Sequence, residues 1–209
     1  MKSIFYLIAA AIAFSPAHGQ PYNKRAVEYF YMGCEMMAKN NFMVAVNDFT
    51  MALEIDPWLK QAYENRGVAK YYLQDMEGAI EDYSKALEID PDDYNTYGRR
   101  GWARYMIRDY KGAIEDLTLA VKGVKNMDKY YTMRGEAKYR LGDIEGATDD
   151  FTWVIKSFGS DRSEKAKAYF WRGLIKIELA QKESACADLK KAAKKGFLKA
   201  YEILQAYCE

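Results

Sequence analysis

GAIEDYSKALEIDP, residues 78–91, comes back as GAIEDLTLAVKGVK at residues 112–125, an offset of 34 residues. Working outward from this pair, whole columns keep step. Gly33, Gly67, Gly101 and Gly135 stand 34 apart, and Gly173 follows 38 after Gly135. A second column is always Ala: Ala45, Ala79, Ala113, Ala147 and Ala185. A third carries a large apolar side chain: Phe49, Tyr83, Leu117, Phe151 and Leu189. A fourth is aromatic: Tyr29, Tyr63, Tyr97, Tyr131 and Tyr169. Self-similarity at a fixed period of 20–50 residues signals a repeat architecture, in which each unit buries its apolar face against the next.

Within one unit the pattern is helical. Tyr63, Gly67 and Lys70 follow i, i+4, i+7 spacing, and Ala79, Tyr83 and Ala86 do the same on the next segment. Asp75 between them is a good N-cap, as are Asp109 and Asp143 in the following units. Each unit therefore reads as two antiparallel helices joined by a tight turn, with Gly67 and Ala79 small where the helices cross. Pro57 and Pro91 close the first two units. On these columns the chain resembles the tetratricopeptide-repeat family. The resemblance implies an all-α fold, a tetratricopeptide-type α-solenoid of antiparallel helix pairs. Five repeats are expected over 26–199, at 26–59, 60–93, 94–127, 128–161 and 166–199. Lys125, Gly159 and Lys195 or Gly196 stand where the last three units would close on Pro, and a four-residue insertion, Arg162 to Lys165, precedes the fifth unit. A capping helix, starting near 197 and filling 200–209, is expected to cover the terminal repeat.

The N-terminus reads differently. In MKSIFYLIAAAIAFSPAHGQ, Lys2 precedes an apolar run from Ile4 to Phe14, and the small residues Ala17 and Gly19 precede Gln20. This is a secretory signal pattern over 1–19, with cleavage expected before Gln20 and a linker at 20–25. Its apolar run falls short of the about 20 residues that span a bilayer, so no membrane span is expected in the mature chain. The expected location is the periplasm or the secreted space. His18 is the only histidine of the 209 residues and would leave with the signal, taking away the commonest general base and metal ligand. With no Cys-x-x-Cys, Gly-rich phosphate loop or Ser/His/Asp set either, no catalytic residue, metal or cofactor is expected, and the protein is not expected to be an enzyme. The 31 basic residues nearly cancel the 30 acidic ones, so total charge makes no case for nucleic acid or an anionic membrane.

Arg66, Arg100, Arg134 and Arg172 stand directly before the repeat glycine, where the first unit has Met32. Asp48, Asp82, Asp116, Asp150 and Asp188 recur on the second helices without exception. Cross-repeat pairs, Asp48–Arg66, Asp82–Arg100, Asp116–Arg134 and Asp150–Arg172, would explain why the first unit lacks Arg and leave Asp188 toward the cap. A ligand-binding Arg ladder is the alternative.

In a stacked array the first helices line a concave groove. The residues placed there are Glu64, Tyr71, Tyr72, Trp102, Tyr105, Met106, Glu136 and Tyr139. Tyr71, Tyr105 and Tyr139 form a ladder at the repeat spacing with Trp102 beside it; it either anchors a partner or packs adjacent repeats. Family members that grip acidic chaperone tails use an Asn and Lys/Arg clamp here. The corresponding residues are Cys34, Val68, Trp102, Glu136 and Leu174, so that activity does not carry over. The expected function is a non-catalytic interaction scaffold, a monomer that binds a peptide or protein. The alternatives are an accessory subunit of an enzyme or of a secretion or assembly complex, and a self-assembling array. Cys186 and Cys208 fall 10 residues before and 12 after Gly196, level on antiparallel helices joined there, and an oxidising compartment would pair them as a disulfide. Cys34 is then the odd thiol.

Overall fold

The computed structural model describes residues 23–123 and 128–208; the expected signal segment 1–19 and residues 20–22 lie outside them. The chain divides into two compact units, Met1–Ala103 and Arg104–Glu209. The first holds α1 (Lys24–Ala38), α2 (Phe42–Ile55), α3 (Lys60–Tyr72), α4 (Met76–Ile89) and most of α5 (Tyr94–Met106). The second holds the end of α5, then α6 (Tyr110–Gly123), α7 (Asp128–Arg140), α8 (Ile144–Lys156), α9 (Arg162–Glu178), α10 (Lys182–Lys194), α11 (Leu198–Ile203) and a π-helical turn, Leu204–Cys208. The fold is all-α, built from consecutive antiparallel helix pairs. α1 begins two residues inside the expected linker because the Asn23 side chain accepts the Arg25 N–H at 2.9 Å and caps it.

The glycine and large-apolar columns face one another. A Cβ on Gly33 would lie 2.6 Å from the Phe49 ring, one on Gly67 2.8 Å from Tyr83, one on Gly135 2.8 Å from Phe151, and one on Gly173 2.9 Å from Leu189. In these four units the first helix thus lies on a large side chain of its own second helix, and Phe49, Phe151 and Leu189 are fully buried there. Gly135→Ala is expected to cost about 1–3 kcal/mol, since the Phe151 ring has no room to retreat. Urea unfolding measures this, and a variant as stable as the parent would show that the contact yields freely.

The turns inside each pair are three residues long. Gln74, Arg108 and Gly142 adopt left-handed backbone, at φ 64°, 65° and 82°, and reverse the chain. The next residue caps the second helix: Asp75 accepts the Gly78 N–H at 2.9 Å, Asp109 that of Gly112 at 3.0 Å, and Asp143 that of Gly146 at 2.9 Å. The insertion before the fifth unit lengthens α9 to 17 residues, against 13 in α3 and α7.

The ion pairs correct the expected register. Arg66 holds Asp82 of its own unit, with Nε at 2.9 Å and Nη2 at 2.6 Å, where Asp48 had been expected. Arg134 holds Asp150 at 2.9 and 2.6 Å rather than Asp116, and Arg172 holds Asp188 at 2.8 and 2.9 Å rather than Asp150. A second cation four residues on completes each site: Lys70 on Asp82 at 2.9 Å, Arg104 on Asp116 at 3.0 Å, Lys138 on Asp150 at 2.9 Å and Lys176 on Asp188 at 2.7 Å. The physical reason is reach. A fork on the first helix meets the carboxylate of the second helix packed directly on it, and only the third guanidinium nitrogen extends to the preceding unit. There it finds a hydroxyl: Arg66 donates to Thr50 at 3.0 Å, Arg100 to Ser84 at 3.0 Å, Arg134 to Thr118 at 3.2 Å and Arg172 to Thr152 at 3.1 Å. With Asp82 taken by Arg66 and Lys70, the expected Asp82–Arg100 pair gives way to this hydroxyl link. The arginines also lie 5.0–5.8 Å over Tyr63, Tyr97, Tyr131 and Tyr169.

At the end of the second unit, Phe197, Ala200, Ile203 and Leu204 close over Phe170, Leu189, Ala192 and Ala193. Cys186 and Cys208 are joined there, with Cα atoms 5.8 Å apart. The expected α-helix through Cys208 gives way to π spacing over Leu204–Cys208, the segment this link ties to α10.

Candidate partner-binding surface

The side chains placed on the groove fall in both units, and each unit is built locally. In the first, Val68 and Tyr71 of α3 pack against Ala79, Tyr83 and Ala103 and are half-buried. Tyr72 is 55% exposed, its ring stacked on Phe42 at 4.6 Å and edge-on to Tyr71 at 5.5 Å. Trp102 of α5 is half-buried, and Gly98 one turn before it is buried. Cys34 is half-buried as well, and burial pushes its thiol up to about 11, so little of it is reactive thiolate at neutral pH.

Glu64 belongs to a polar cluster. Lys60 Nζ lies 3.1 Å from Glu64, 2.8 Å from Asp90 and 2.8 Å from Asp93. The Thr96 hydroxyl lies 3.1 Å from Glu64 Oε1 and 3.0 Å from Asp93 Oδ2. Burial, reinforced by the hydrogen bond with Asp93, pushes the Glu64 carboxyl up to about 7 against the pull of Lys60. Burial also opposes ionisation of Asp93, but hydrogen bonds from Glu64 and Lys60 hold that carboxyl well below the usual range. Below about pH 7 the pair holds one proton, on Glu64. Its raised value makes the folded chain bind more protons than the unfolded chain between about pH 4.5 and 7, so this contribution is full below that window and lost as the pH rises through it. Stability should fall by about 1 kcal/mol between pH 6 and 8 on this account. Melting curves of the parent and of Glu64→Gln, which carries its donor at every pH, check this. The variant should lack that part of the slope, and an unchanged slope would place the titration elsewhere.

In the second unit, the Tyr105 hydroxyl donates to Glu136 at 2.9 Å, and the Tyr139 hydroxyl donates to Glu178. Burial first, then these carboxylates, push both phenols up to about 12. Burial raises the Glu136 carboxyl despite hydrogen bonds from Tyr105 and Trp171. Trp171 lies 5.4 Å from the Tyr139 ring, with the Arg140 guanidinium 5.5 Å over it. Tyr105 and Tyr139 therefore brace one first helix against the next. Their hydroxyls are committed, while Met106 remains 45% exposed. Trp171 was missed because it obeys no column: Tyr31, Asn65, Arg99 and Met133 hold its place in the other units. That irregularity was its one sequence signal.

The arrangement offers ring and thioether faces framed by polar groups that already have partners. Among the described residues no cluster of His, Cys, Asp or Glu is set to hold a metal, and no helix is long and apolar enough to cross a membrane. Family models described as tetratricopeptide repeat match residues 61–93 and residues 166–194. These two stretches are tetratricopeptide repeats. Those matches fall on the second and fifth expected units. Among curated proteins none matches the chain. Solved structures share its fold. A crystal structure of MamA aligns at TM-score 0.73 and 22% identity over 81% of this chain and 96% of that one. YrrB, described as a TPR protein with an unusual peptide-binding site, aligns at TM-score 0.76 and 20% identity over 86% and 92%. The first TPR of Spaghetti (RPAP3) bound to the HSP90 peptide SRMEEVD aligns at TM-score 0.55 and 19% identity over 57% and 94%.

Proposed function

We propose that this chain is a non-catalytic scaffold of the cell envelope or secreted space, which takes a peptide or protein partner along the groove formed by its first helices. The observation that carries the reading is the state of the first-helix side chains. Tyr105, Glu136 and Tyr139 are tied down by their own hydrogen bonds, while Tyr72 and Met106 keep 55% and 45% of their surface open. Such a surface is preorganised, so a partner would order few side chains on binding. YrrB, with its peptide-binding site, and the Spaghetti repeat, bound to a peptide, support the reading by fold. Export rests on the N-terminal pattern of residues 1–19 and on the Cys186–Cys208 link, which an oxidising compartment would maintain. Closure of the terminal repeat by α11 argues against head-to-tail self-assembly at that end.

A photo-crosslinking residue placed at Tyr72 or Met106 tests this in intact cells. The same discrete adduct should form from both sites and from neither Glu81 nor Glu115 on the second helices. Adducts from the second-helix sites alone would move the binding face and overturn the proposal.

A further inference from the structure

The near-neutral total charge conceals a local segregation. KKAAKKGFLK, residues 190–199, holds five lysines and no acidic residue, in a chain whose net charge is +1. In the fold, Lys191, Lys194 and Lys195 at the end of α10 join Arg162 at the start of α9 to line a cleft of about 420 Å³. No carboxylate neutralises it among the described residues. The Arg162 guanidinium is held in place by the Lys194 carbonyl at 3.0 Å, and Lys191 lies 5.3 Å over the Tyr169 ring. The negative end of the α10 dipole eases the crowding of cations there. That accounts for one or two lysines at a helix terminus, not for four cations around one cleft.

Two large apolar side chains stand close in sequence to its lining residues. Phe158, in the turn that leads into Arg162, is 106% exposed, the fully extended limit, and Leu198, at the start of α11, is 77% exposed. Both adjoin helix ends that line the cleft, and neither side chain belongs to a core cluster. Basic side chains grouped with protruding apolar ones suit an interface with two demands, anionic headgroups outside and hydrocarbon just beneath. A soluble polyanion would meet the cations but leave Phe158 and Leu198 in water.

The geometry points to this edge of the second unit as a peripheral docking site for an anionic lipid surface. The cations of the cleft engage headgroup phosphates while Phe158 and Leu198 enter the headgroup–acyl boundary. None of the first-helix side chains proposed for the partner lines this cleft.

Flotation of the full chain with vesicles tests it. Binding is expected to phosphatidylcholine vesicles containing phosphatidylglycerol, not to phosphatidylcholine alone, and it should weaken as salt rises. Lys194→Gln and Lys195→Gln should each reduce vesicle binding about fivefold. Phe158→Ser should weaken it with the charge intact, whereas Lys39→Gln, on a lysine paired with Glu35, should leave it unchanged. Circular dichroism on each variant separates lost binding from lost fold. Absence of flotation at low salt, equal flotation with neutral vesicles, or binding to heparin or polyphosphate but not to vesicles would each overturn the assignment. The last outcome would identify a soluble-polyanion site.

Discussion

Asp150→Ala is expected to lower stability by about 3–5 kcal/mol, because it leaves two half-buried cations without their shared carboxylate. Asp150 is 3% exposed and holds Arg134 through two bonds of 2.6 and 2.9 Å, with Lys138 at 2.9 Å. Its carboxylate also sustains the raised Arg134 pKa against burial. Taking it away sets two like charges facing each other where water enters poorly. The first unit supplies the control. Asp48 occupies the same column, but Met32 and Met36 stand where the two cations would be, and among the described residues it has no cation partner. Burial pushes its carboxyl up. Asp48→Ala should therefore change stability by no more than about 0.5 kcal/mol. Urea titrations of both variants, followed by a probe in each unit because a repeat array need not unfold in one step, measure the contrast. Equal losses would mean that the ion pairs add nothing beyond side-chain packing.

Cys208→Ser is expected to cost about 3 kcal/mol, the chain-entropy value for a loop of this size. The link spans a sequence separation of 22 and ties the last turn to α10. Without it, α11 has six residues and Ala200 as its one buried side chain, so it frays first. Hydrogen exchange should then show loss of protection over residues 198–208 and little change at α8. Reductant should reproduce the loss in the parent and do nothing to the variant. Recovery of residue 208 as a free, alkylatable thiol from the native protein would remove the staple and weaken the proposal of export with it.

The helix pairs were legible because one physical demand recurs every 34 residues: a glycine under a ring, an Asp at a cap, an alanine at a crossing. The pairing of the charged columns was not. The missing Arg of the first unit fits cross-repeat pairs, but the structure shows a second cation column, Lys70, Arg104, Lys138 and Lys176, whose first-unit counterpart is Met36. Both absences fall on the unit of Asp48, which makes Asp48 the carboxylate left over and sets the register within the unit. The Tyr ladder was ambiguous for another reason. Anchoring a partner and bracing a neighbour both call for Tyr at the repeat spacing, and only coordinates reveal the carboxylates that Tyr105 and Tyr139 have found. Trp171, the Glu64–Asp93 pair and the basic cleft each occur once, so no column advertised them.

Trp102→Ala decides whether the first-helix face binds a partner. With the crosslinked partner in hand, calorimetric titration and a melting curve are run on the same preparation. Binding should weaken by about 2 kcal/mol or more, roughly thirtyfold, with the melting temperature little changed. Unchanged affinity together with a large fall in melting temperature would make Trp102 a packing residue and contradict the claim.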